Sequence, residues 1–224
     1  MINNNFMSIR RTIKKNQKKW LRQNADLKIL DLGCSNANYW SEANHFADIH
    51  DYKEEFENKK LKFTKIEPDK KLPFNDKEFD YVICAHVIEH VNDPIFFKKE
   101  IERIGKSGYI ELPTRLNDNM VFGCDEEIFG HKWWFEFDDD NKKLVFSTKI
   151  DAIEQFVSVG SIFTLTDIFD DSFIIQTYWE DNIDMEQKES YQIKKKIYFL
   201  SLVKKYFSKK IRIQISKLKD IFRS

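Results

Sequence analysis

The sequence predicts a doubly wound α/β fold on a mostly parallel sheet, with a β-hairpin insertion and basic helical extensions at both ends. Two observations predict it. Between residues 28 and 113, short apolar runs alternate with polar or helical stretches, the pattern of βαβ units. One of those stretches, at Asn92-Asp93-Pro94, carries an unambiguous helix start.

In chain order, residues 8–22 read as a basic helix, with Ile9, Ile13 and Trp20 or Leu21 at helical spacing. The apolar runs 28–32, 46–50, 61–66, 81–85 and 109–112 read as strands. Only residues 33–45 separate the first two of them, so the first crossover helix must be short or partly replaced by loop. Asp93 can cap free N–H groups, and Pro94 suits the first helical position because its missing N–H is not needed there. Phe97, Ile101 and Ile104 then form a buried stripe that Gly105 ends.

After Pro113 a loop leads through Phe129 to two apolar stretches, 133–137 and 144–146, which flank Asp138-Asp139-Asp140-Asn141 and read as a hairpin near the carboxyl edge of the sheet. Residues 151–157 read as helix, and 161–179 as two strands joined at Asp170-Asp171. From Ile197 to Phe222, apolar residues recur every three or four positions, lining one face of a long terminal helix. The expected division is a basic N-terminal extension over 1–25, a central domain over 26–190 and a basic amphipathic helix over 191–224.

Charge follows that division. Residues 1–25 carry seven Lys or Arg and no acid, and residues 191–224 carry eleven against one acid. The segment between holds 19 basic and 36 acidic side chains, a net −17, although the whole chain is neutral. Cys34, Cys84 and Cys124 are too scattered for a disulfide framework or a structural zinc site, so no metal is expected and a reducing compartment fits. No apolar run approaches the ~20 residues of a spanning helix. The expected location is the cytoplasm, with the C-terminal helix available for peripheral contact with the anionic inner face of a membrane. Nucleic acid is not an expected partner, because no recognition motif accompanies the lysines.

Chemistry concentrates at strand ends, where open α/β sheets bind ligands. Asp31-Leu32-Gly33-Cys34-Ser35 joins the first strand to its turn: Gly33 permits close approach, and Asp31 can fix the turn and face a ligand amine. A ribose diol needs a carboxylate, and Asp48 is the candidate at the second strand end, with Asp51 in reserve. Glu67 or Asp69, at the third, can meet an adenine amine, and Ile49 and Ile66 can sandwich the purine.

The run Leu72-Pro73-Phe74-Asn75-Asp76-Lys77-Glu78-Phe79-Asp80-Tyr81-Val82-Ile83-Cys84-Ala85-His86-Val87-Ile88-Glu89-His90-Val91-Asn92-Asp93-Pro94 resembles the central signature of class I S-adenosylmethionine-dependent methyltransferases, type 11 in particular. With Asp31-Leu32-Gly33-Cys34 and Lys106-Ser107-Gly108-Tyr109-Ile110-Glu111-Leu112-Pro113, the similarity spans about residues 27–114. It implies a Rossmann-like sheet and S-adenosylmethionine as cofactor. Asp31, Gly33 and the Cys34-Ser35 backbone would border its methionine part, Asp48 its ribose, and Glu67 or Asp69 its adenine, with Cys84 and His86 flanking it. Ser35 and Ala37 stand where the family's first motif has glycine.

His131-Lys132-Trp133-Trp134 with Leu144-Val145-Phe146 is similar to a hairpin in a bacterial subset of these enzymes, some linked to surface-polysaccharide synthesis. An alcohol acceptor requires a base, and His131, His86 and His90 are the available imidazoles. The expected function is methylation of a small molecule or glycan, such as O-methylation of a surface-polysaccharide or lipid-linked sugar. The alternative is a non-catalytic S-adenosylmethionine-binding module with a structural or interaction role. A nicotinamide-dependent dehydrogenase ranks lower, because Gly33 is the one glycine of the three in G-x-G-x-x-G.

Overall fold

The computed structural model describes residues 9–35, 37–120, 130–149 and 170–189, and residues 200, 203, 204, 206–208, 210, 211 and 215 near the C-terminus. The first element is a strand, β1 (Ile9–Arg11), followed by α1 (Lys14–Gln23). Five parallel strands follow: β2 (Ile29–Leu32), β3 (His45–Asp48), β4 (Lys62–Lys65), β5 (Phe79–Ala85) and β6 (Gly105–Pro113). Helix α2 (Lys53–Asn58) joins β3 to β4, and α3 (Pro94–Ile104) joins β5 to β6. After α4 (Arg115–Met120) come β7 (Trp133–Asp138), β8 (Lys143–Thr148), a one-turn α5 (Asp170–Phe173), β9 (Ile174–Glu180) and β10 (Met185–Gln187).

The seven-stranded sheet runs β1-β9-β6-β5-β2-β3-β4, with β9 antiparallel to both β6 and β1. The chain winds outward from β2 in one direction through β3 and β4, and in the other through β5 and β6. The topological switch point therefore lies between β2 and β5, where Leu32 pairs with Cys84.

Alternation along the strands builds two apolar layers. Leu30, Leu32, Val82, Cys84, Ile110 and Leu112 pack with Phe97, Ile101 and Ile104 of α3 and with Phe135 and Phe146 of the hairpin. Ile29, Tyr81, Ile83 and Tyr109 face the other way, onto Leu21 of α1, Trp40 and Phe56. Both faces are covered, which is why these strands read as continuous apolar runs. Gly108 is fixed by the same packing: a Cβ there would stand 2.1 Å from the Val82 carbonyl oxygen and 2.8 Å from Trp179 Nε1.

Helix α3 starts as its sequence dictates. The Asp93 side chain accepts hydrogen bonds from the amides of Ile95 (3.0 Å) and Phe96 (2.9 Å), with Pro94 at the first position. Arg103, near its end, donates to the carbonyls of Leu72 and Phe74 and so ties down the helix-free connection from β4 to β5.

β7 and β8 form the expected hairpin, its reversal held by Asp138, which accepts from the amides of Asp140 and Asn141. β10 adds to β8 in parallel, completing a three-stranded sheet. The hairpin docks at the carboxyl end of the main sheet through a bridge between Thr114 and Phe135.

The structure decides three local expectations. Residues 8–22 are not one helix: Ile9 is 1% exposed, and its strand pairs with β9, satisfying a sheet edge that helical periodicity cannot reveal. Between β2 and β3 no helix forms among the described residues; Asp31 accepts from the Trp40 amide, and Trp40 packs on Tyr109 instead. At Asp170-Asp171 the chain starts a helical turn rather than a hairpin, leading into β9. The expected helix at 151–157 and the strand beginning at Ser161 lie outside the described residues, as does Cys124.

Candidate active site

At the switch point the carboxyl ends of four strands open into a cleft of about 580 Å³, lined by Gly33 after β2, Asp48 and Ile49 at β3, Ile66 and Glu67 after β4, and His86 after β5. Asp69, His90 and Lys132 complete its rim. That volume suits a drug-sized ligand. A larger groove of about 850 Å³ runs along α1 but is lined by lysines, Arg22, Gln176 and a few other side chains, with no carboxylate for a ribose diol and away from the strand ends.

Gly33 reaches the cleft with φ +84°, and its amide donates to the Ala47 carbonyl oxygen (2.8 Å). A Cβ would collide with Val87 Cγ2 at 2.2 Å, so glycine is required on both conformational and steric grounds. Asp48 is 9% exposed, lines the cleft and accepts from the His50 amide at 2.7 Å. Burial holds this carboxyl above its usual range, against the pull of the His50 amide. Ile49 and Ile66 supply apolar walls. Glu67 is paired with Lys70, and Asp69 accepts from the amide and the side chain of Asn92, so both carboxylates are already engaged at the rim.

Other sequence candidates lie elsewhere. Asp31 is 3% exposed and accepts from the Trp40 amide at 2.7 Å. Burial drives its pKa up to about 7 despite that hydrogen bond and the nearby Lys14 and Lys18. Cys34 is buried with its Sγ 3.7 Å from the Ala47 carbonyl oxygen, and Cys84 is buried in the layer shared with Leu32. Burial pushes both thiols well above the ordinary range, which leaves them unreactive. The Ser35 hydroxyl accepts from the Asn38 amide (2.8 Å), bracing the turn. None of these four side chains lines the cleft.

The three histidines resolve differently. His86, with φ +57°, sits between Glu111 (Nε2 to Oε1, 3.1 Å) and Glu89 (Nδ1 to Oε1, 3.3 Å). Partial burial disfavours its charge, but the two carboxylates outweigh that and hold its pKa up to about 10. At neutral pH it is an imidazolium, so it is corrected from a proton acceptor to a cation on the cleft wall. Glu111 is buried, yet His86, Lys14 and Tyr109 bring its pKa down to about 2. His131 turns inward, its Nδ1 on Asp118 and its Nε2 4.0 Å from Glu89 Oε1. His90 lines the cleft, its ring meeting that of His131 edge-on at 4.6 Å.

Glu89, Glu111 and Asp118 were not singled out by sequence reasoning. A legible signal existed for Glu111, a lone acid inside the apolar strand Tyr109-Ile110-Glu111-Leu112. No local pattern points to Asp118, whose partner His131 lies thirteen positions away.

Residues 30–110 match the profile of a family described as a methyltransferase domain. The chain is also similar to an uncharacterized protein of Methanocaldococcus jannaschii, 27% identical over 195 residues that cover 80% of this chain and 79% of that one. Among solved structures, a SAM-dependent methyltransferase of Thermotoga maritima is 13% identical, with a TM-score of 0.41, over 74% of this chain and 89% of that one. The trans-methyltransferase CalH, solved with SAH, is 15% identical, with a TM-score of 0.36, over 43% of this chain; the match spans 35% of that chain.

Proposed function

We propose that this chain is a class I S-adenosylmethionine-dependent methyltransferase, its residues 30–110 matching a methyltransferase domain, and that it methylates a hydroxyl of a small molecule or glycan. What carries the site assignment is the convergence of Gly33, Asp48, Ile49 and Ile66 in one cleft at the switch point. Those residues fit the cofactor: an acid at a strand end for a ribose, apolar walls for a purine, and a glycine turn that admits close approach. When bound, S-adenosylmethionine supplies an activated methyl group. The protein's share is to align the acceptor and exclude water, which is worth at most ~7–11 kcal/mol of barrier.

A sugar acceptor is supported by the polar rim of Asn92, Lys132 and Asp69 and by the hairpin beginning at Trp133, whose Nε1 donates to the Val91 carbonyl oxygen beside the cleft. O-methylation of a surface-polysaccharide or lipid-linked sugar is the form this reading takes. Calorimetry on the purified chain should show S-adenosylmethionine or its demethylated product binding in the micromolar range, and Asp48→Ala should weaken it at least tenfold. Unchanged affinity in that variant would remove Asp48 from the site. The second reading, a binding module without turnover, is motivated by Ser35 in the cofactor turn. It predicts binding with no methyl transfer to any acceptor.

No helix among the described residues is long and apolar enough to cross a membrane. Peripheral membrane contact rests on the C-terminal helical residues, where Leu200 (82%), Phe207 (60%) and Ile211 (59%) are exposed near Lys204 and Lys210. Co-sedimentation with vesicles rich in anionic lipid should be lost on removing residues 191–224. Equal binding to neutral vesicles would argue against an electrostatic contribution.

A further inference from the structure

Glu89, His90 and His131 offer three ligand atoms that all lie within 4.8 Å of one another, and His90 lines the cleft. We propose that these residues bind a divalent transition-metal ion whose open positions face the cleft and take an oxygen of the acceptor. This inference rests on the methyltransferase reading for what the metal does, but not for whether it binds.

Three features carry it. Glu89 is completely buried, and neither of its carboxylate oxygens receives a hydrogen bond. The His86 ring stands 3.3 Å from its Oε1. His86 faces Oε1, whereas Oε2 has no hydrogen-bond partner, and a buried carboxylate is costly until both oxygens are met.

His131 is oriented from behind. Its Nδ1 contacts Asp118, itself 3% exposed, so Nε2 is left facing Glu89 Oε1 across 4.0 Å. A carboxylate behind a histidine, fixing its tautomer and raising the basicity of the other nitrogen, is the usual support of a metal ligand. Lys149, 3.9 Å from Asp118, offsets part of the negative charge.

The group is also held together by the fold. The Lys132 amide donates to the Glu89 carbonyl oxygen (2.8 Å), which fixes His131 beside the one-turn 3-10 segment Ile88–His90. Ligand atoms around one ion, at ~2.0–2.2 Å from it, stand ~3–3.5 Å apart, so the group needs to tighten by up to about 1–2 Å. Two imidazoles and one carboxylate suit Mn²⁺, Fe²⁺, Co²⁺ or Zn²⁺ better than Ca²⁺ or Mg²⁺. An acceptor hydroxyl on such an ion loses its proton at a lower pH.

The test uses the full chain, stripped with chelator and titrated calorimetrically with Mn²⁺ and Zn²⁺, with Co²⁺ absorption as the ligand signature. One equivalent should bind. His131→Ala and Glu89→Gln should each lower affinity at least tenfold, and Asp118→Asn by roughly 10–100-fold, the effect typical of supporting residues. Absence of binding to the wild-type chain, or variants that fold and bind as wild type, would overturn the site. S-adenosylmethionine binding is measured on the same metal-free protein. Its loss would strike the methyltransferase reading, whereas failure of metal binding alone strikes only the metal site.

Discussion

Replacing Gly33 by alanine should abolish high-affinity cofactor binding and destabilise the fold by roughly 2–5 kcal/mol, through two separable costs. The first is conformational: at φ +84° an L-residue pays about 1–2 kcal/mol for the left-handed region. The second is steric. The new Cβ would stand 2.2 Å from Val87 Cγ2, and a β-branched side chain has few χ1 rotamers into which it can move aside. Val87 lines the same cleft, so the strain is transmitted to the cofactor wall. The double variant with Val87→Ala should recover the steric part of the stability but not the conformational part. Thermal unfolding and calorimetric binding check both, and a Gly33→Ala protein with wild-type melting and affinity would refute the role given to this turn.

Asp31→Asn should make the protein more stable at pH 8, by up to ~4 kcal/mol, and leave it nearly unchanged at pH 4. The sign follows from burial. The folded carboxyl has a pKa of about 7 against 3.8 when free, so its contribution is fully present below about pH 4 and is lost as pH rises through 7. Above that, a charged group sits 3% exposed, with the Trp40 amide as its hydrogen-bond donor. Asparagine can still accept from that amide without carrying charge. Denaturant unfolding of both proteins between pH 4 and 8 measures the widening difference, and parallel curves would exclude Asp31 as its source.

Much of the cleft was legible before any coordinates. Asp48, Ile49 and Ile66 follow from one rule, that ligands sit at the carboxyl ends of parallel strands, and Gly33 from the need for close approach. The side-chain directions of Asp31 and Cys84 were not legible. Strand alternation assigns faces only after register and layer are known, and both residues turned into the core rather than into the cleft. The histidines show the same limit in electrostatic form. Nothing near His86 in sequence indicates Glu111, which arrives from the neighbouring strand through the pairing of Ala85 with Glu111.

The sequence by itself determined the parallel sheet, the Asp93-capped helix, the hairpin and the strand-end acids, because apolar periodicity, capping and turn chemistry act over a few residues. Tertiary structure decided what depends on distant segments meeting. It drew Ile9 into the sheet edge against β9, covered Asp31 with the turn at Trp40, charged His86 between two carboxylates, and set His131 and Asp118 against Glu89. The reason is physical. Burial and charge pairing are properties of the assembled interior, where the same side chain changes role with whichever neighbour the fold supplies.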